Sequence, residues 1–83
     1  MTEATLLEIK AEIARADVMW GTEFDDKNTL NDWIAYANIY LGQAANMKAS
    51  QTEQYTNLLK AAGLIVNAAT RVKSGNIQAR HYD

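Results

Sequence analysis

The chain has 83 residues, of which 48% are hydrophobic and 22% charged, so it forms at most one globular domain and is not disordered. The sequence contains no cysteine, which excludes disulfides and thiolate metal sites. Its single histidine excludes a multi-histidine zinc site within one chain. The net charge of −2 disfavours a general nucleic-acid-binding role. No apolar run approaches the ~20 residues of a membrane span, and the N-terminus does not have the pattern of a signal peptide. We therefore expect a cytoplasmic protein.

The first predicted helix covers residues 3–19. Leu6, Ile9 and Ile13 fall along one face at helical spacing. A threonine at the start is a suitable N-cap, and Gly21 is a suitable end signal.

Carboxylates flank this apolar face. Glu8 and Glu12 lie one turn apart, and like charges at this spacing are destabilising unless a positive group lies between them. Either Arg15 or a metal ion fits that role. Asp17 falls inside the apolar stripe, where a carboxylate needs a partner. The partner could be Lys10, the following loop or a metal ion. In each case we expect Asp17 to be at least partly buried.

A loop is predicted over residues 21–28. It lies in a stretch, residues 20–36, that holds both tryptophans and four of the ten acidic residues. Glu23, Asp25 and Asp26 either face water or bind a cation, although their spacing does not match a calcium-binding EF-hand loop. A polar loop with large aromatics between two helices is a typical place for a site.

The second helix is predicted over residues 30–48. Thr29 and Asp32 form a capping box, which gives Asp32 a structural role as an alternative to metal binding. One face carries Trp33, Ala37, Tyr40 and Ala44. The apolar arc is wide for a surface helix.

The third helix is predicted over residues 51–74. It begins after the Ser50–Glu53 capping box, ends at Gly75 and is followed by a polar tail over 75–83 that contains His81. Its apolar arc covers nearly half the circumference and comprises Tyr55, Leu58, Leu59, Ala62, Ile65, Val66, Ala69 and Val72. The sequence therefore predicts an all-α chain of three helices, the last two forming an antiparallel hairpin, and a homo-oligomer that covers the wide apolar arcs.

Residues 12–21, with the pattern E-x-x-R-x-D-x-x-W-G, resemble the short MazG-like proteins of bacteria and phages, which include dATP/dGTP-type pyrophosphohydrolases. These are members or neighbours of the all-α nucleoside-triphosphate pyrophosphohydrolase superfamily. The segments 23–26, 31–40 and 59–64 also resemble stretches of that group. The resemblance covers most of residues 8–70.

The resemblance implies Mg²⁺-dependent cleavage of a (d)NTP to (d)NMP and pyrophosphate. Carboxylates would hold the Mg²⁺, which binds phosphate oxygens and activates a water. The implied metal ligands are Glu12, Asp17, Asp26 and Asp32. The implied substrate-binding residues are Arg15, Trp20, Lys27, Trp33 and Arg71, with a tryptophan stacking on the base and the cations meeting phosphate.

The chain departs from the superfamily's metal motifs. Glu8 and Glu12 are spaced E-x-x-x-E instead of E-x-x-E, Asp32 replaces the usual glutamate, and no E-x-x-D follows on the second helix. A nucleotide-binding relative without turnover is therefore an alternative. A non-catalytic helical oligomer with a recognition surface is another, and in a purely structural protein the carboxylates would be caps or solvated charges.

Overall fold

The computed structural model describes residues 2–77, and within helix residues 18–26 it describes the backbone only. That part of the chain forms α1 (Glu3–Lys27), α2 (Leu30–Ala44) and α3 (Gln51–Ser74), and contains no strand. The predicted all-α class is confirmed. None of the described helices is long and apolar enough to cross a membrane.

α1 is eight residues longer than the predicted 3–19, so the prediction of a loop over residues 21–28 was wrong. The stretch contains no proline, and a single glycine within a helix costs only about 1 kcal/mol relative to alanine. Lys27 occupies the last turn, where a cation interacts favourably with the helix dipole. Only Asn28 and Thr29 separate α1 from α2, which places the Asn28 side chain at the junction of the two helices.

α2 ends four residues before the predicted position. Asn46 makes a turn of its own, because its side-chain oxygen accepts a hydrogen bond from the Lys48 N–H at 2.9 Å and its carbonyl accepts one from Ala49 at 3.0 Å. Asparagine side chains compete with helix formation in this way. Met47 is fully exposed, so another helical turn would gain little burial.

The bounds predicted for α3 agree with the structure. At its start, Ser50 and Glu53 exchange the two hydrogen bonds of a capping box. At its end, Gly75 adopts a left-handed conformation with φ 76° and closes the helix. Glycine is favoured there because it has no Cβ.

α3 packs against both other helices. The buried apolar residues are Ile9 in α1, Trp33, Ala37 and Ala44 in α2, and Ala61 and Ala68 in α3. α1 lies close to α3 at Gly63, where a Cβ would lie 3.4 Å from Ile13 Cγ1. Among the described residues, the buried apolar side chains are therefore four alanines and Ile9 together with one aromatic residue, Trp33.

Replacing Thr29 by alanine is expected to lower the free energy of unfolding by about 1–2 kcal/mol. Thr29 is buried; its hydroxyl accepts the Asp32 N–H at 3.2 Å, and Asp32 Oδ2 accepts the Thr29 N–H at 2.9 Å. Thr29→Ser keeps the acceptor oxygen and is the matched control. Urea denaturation compares the two, and equal losses would mean that the missing methyl group, and not the cap, carries the effect.

Candidate functional site

A cavity of about 370 Å³ lies among the three helices, within the size range of small-molecule sites. α1 contributes Glu12, Ile13, Arg15 and Ala16; α2 contributes Trp33, Tyr36 and Tyr40; α3 contributes Lys60, Gly63, Leu64 and Asn67; and Asn28 completes the lining. Its surface is mainly apolar, with polar groups at a few positions. Such a composition is typical of a site for a small organic molecule.

α2 supplies an aromatic wall. Trp33, Tyr36 and Tyr40 are three and four residues apart and so project from one side of the helix. Trp33 is 3% exposed, Tyr40 is half-buried and Tyr36 is more open to solvent. The wall therefore runs from the core towards the surface and presents planar rings on which a flat ligand can stack.

α3 places cations beside these rings. Lys60 Nζ lies 5.5 Å from the centre of the Tyr40 ring, and Arg71 Cζ lies 5.6 Å from that of Trp33. Both distances are within the range of cation–π attraction. Lys60 makes no ion pair with a described carboxylate. Its ammonium group can therefore meet an anionic ligand without first breaking a salt bridge.

Glu12 and Arg15 form a two-point ion pair at the α1 side of the cavity. Arg15 Nη2 donates to Glu12 Oε1 at 2.6 Å, and Arg15 Nε donates to Glu12 Oε2 at 3.0 Å. The hydrogen bond from Arg15 lowers the pKa of Glu12, partial burial opposes it, and the charges of Arg15 and Lys60 lower it further. Glu12 is consequently a carboxylate at neutral pH. The charged side chains among the described residues of the lining, Glu12, Arg15 and Lys60, sum to one positive charge.

Two buried N–H donors at the cavity have no hydrogen-bond partner among the described residues. They are Asn28 Nδ2 and Trp33 Nε1, on side chains that are 7% and 3% exposed. Leaving a buried donor without an acceptor costs about 1–3 kcal/mol. A ligand that presents acceptor atoms to these groups would recover that energy.

The four predicted metal ligands do not converge within the described structure. Glu12 lines the cavity, Asp32 caps α2 and Asp17 is exposed, while the Asp26 side chain lies outside the described residues. The expectation that Asp17 is at least partly buried was wrong. Among the α1 side chains that the structure describes, only Ile9 is buried. No group of three potential metal-ligating side chains occurs in the described part of the chain.

Only some of the predicted substrate-binding residues lie at the cavity. Arg15 and Trp33 line the cavity, Arg71 lies beside Trp33, Lys27 is exposed at the end of α1, and the Trp20 side chain lies outside the described residues. Sequence reasoning did not select the lining residues Asn28, Tyr36, Tyr40, Lys60 and Asn67. The available signal was the side of α3 opposite its apolar arc, which carries Lys60 and Asn67.

Glu8 was also one of the clustered carboxylates of α1. The Tyr55 hydroxyl donates a hydrogen bond to Glu8 Oε2, which raises the pKa of Tyr55 and links α1 to the start of α3. Glu8 and Glu12 thus have separate protein partners.

No family model, curated protein sequence or solved structure matches the chain. The MazG-like resemblance therefore rests on its short motifs alone. What the chain binds has to be inferred from the side chains that line the cavity.

Proposed function

We propose that this chain binds a nucleotide in the cavity among its three helices. The observation that supports the proposal is the combination, in one lining, of an aromatic wall, the cation Lys60 and two buried donors without partners. A nucleobase would stack on the rings of Trp33 and Tyr40 and accept from the Asn28 and Trp33 N–H groups. The phosphates would lie towards Lys60 and Arg15.

Binding is better supported than hydrolysis. Mg²⁺-dependent cleavage uses several carboxylates to hold metal, and among the described residues of the lining Glu12 is the only acidic one. Mg²⁺ that arrives with a nucleotide's phosphates needs only one or two protein carboxylates. Glu12 is the residue that would supply one. We therefore favour a nucleotide-binding relative of the pyrophosphohydrolases. Cleavage to monophosphate and pyrophosphate is the alternative.

The test is calorimetric titration of the chain with each dNTP in the presence of Mg²⁺. Lys60→Gln is expected to weaken binding about tenfold or more, because a charged hydrogen bond contributes about 1.5–3 kcal/mol. Lys73→Gln is the matched control, because Lys73 is an exposed cation in the last turn of the same helix and does not line the cavity. It should bind like the wild type.

Four outcomes separate the possibilities. Equal weakening by both substitutions would place binding outside the cavity, and no binding of any dNTP would overturn the proposal. Pyrophosphate release in the same mixtures would identify a hydrolase. Binding without pyrophosphate release would identify a nucleotide-binding protein.

A further inference from the structure

The outward side of α3 carries an apolar seam, which we define as Leu58, Ala62, Ile65, Ala69 and Val72. Its members are separated alternately by four and three residues, the spacing of helices that pack along one another in coiled coils. Leu58, Ile65 and Val72 are 50%, 53% and 49% exposed. Large apolar side chains are thus left in solvent over about four helical turns.

This seam lies on the side of α3 opposite the cavity. The inward side uses Lys60, Gly63 and Asn67, which are charged, small or polar. The helix therefore turns its most apolar face away from the rest of its own chain. Contiguous exposed apolar surface of this kind is uncommon in monomers and marks a protein contact.

We infer that the seam packs against the same seam of a second copy, giving a symmetric homodimer. Large residues alternate with Ala62 and Ala69, so the side chains of one copy can fill the space above the alanines of the other. None of the seam residues is charged, so two copies meet without burying an unpaired charge. A self-complementary face of this kind is what a two-fold interface requires.

Light scattering over a range of micromolar concentrations tests the dimer directly. The wild-type chain is expected to have twice the mass of one chain. Ile65→Glu should raise the dissociation constant about a hundredfold, because it places a charge at the centre of the interface. Thr56→Glu is the matched control, since Thr56 is exposed on the same helix away from the seam, and it should remain dimeric.

The absence of cysteine permits a second measurement that does not depend on the glutamate variant's folding. Ile65→Cys should form a covalent dimer on mild oxidation, whereas Thr56→Cys should not. A monomeric wild type would mean that something else covers the seam and would overturn the inference, as would a dimer unaffected by Ile65→Glu. Nucleotide binding should survive in Ile65→Glu, because the seam and Lys60 face opposite ways, so the two proposals succeed or fail separately.

Discussion

Replacing Trp33 by alanine is expected to lower the free energy of unfolding by about 3–5 kcal/mol, the largest loss from any single truncation in the described part of the chain. Trp33 is 3% exposed, and most of the other buried apolar residues are alanines. Small domains have only about 5–15 kcal/mol of net stability. Urea denaturation followed by circular dichroism should therefore show Trp33→Ala largely or wholly unfolded at low denaturant concentration.

Trp33→Phe is the matched variant, because it keeps an aromatic ring but removes the indole N–H. That N–H has no partner among the described residues, so its removal costs no hydrogen bond in the free protein. We expect a much smaller loss of stability than in Trp33→Ala, together with weaker nucleotide binding. If Trp33→Phe lost as much stability as Trp33→Ala, the indole N–H would have to make a hydrogen bond in the free protein, contrary to the structure.

Features with local signals were predictable from the sequence. The Thr29–Asp32 and Ser50–Glu53 capping boxes and the Gly75 end of α3 each depend on a few neighbouring residues and appear as expected. The end of α1 has no such local punctuation: Gly21 lies within a helix that continues to Lys27. A lone glycine is too weak a signal to decide between a loop and a continuing helix.

The cavity depends on contacts between helices, and this is why the sequence revealed only part of it. Periodicity shows that α3 has a polar face and an apolar face, but it does not say which one meets α1 and α2. Lys60 contacts the ring of Tyr40, twenty residues earlier in the chain, and only the packing of α2 on α3 brings them together. Asp17 illustrates the converse, because its position beside apolar residues on the wheel did not make it buried.

Gly63→Leu is expected to separate α1 from α3. A Cβ at this position would lie 3.4 Å from Ile13 Cγ1 and 3.6 Å from Glu12 Cγ, so a methyl group fits at ordinary contact distance. We expect the further atoms of leucine to crowd α1. Overpacking of this kind costs about 1–3 kcal/mol. Because Gly63 also lines the cavity, the leucine side chain would occupy space that the nucleotide is proposed to use. We therefore expect lower stability and loss of binding together.

Gly42→Leu is the control that separates packing from helix propensity. Both glycines lie inside helices, where leucine is favoured by up to about 1 kcal/mol, but a Cβ at Gly42 has nothing within 4 Å. Gly42→Leu should therefore be as stable as the wild type or more so, and should bind nucleotide normally. Hydrogen exchange should show faster exchange of α1 amides in Gly63→Leu alone. If the two variants behave alike, α1 does not pack closely against α3 at Gly63, and the cavity that depends on this contact is not formed as described.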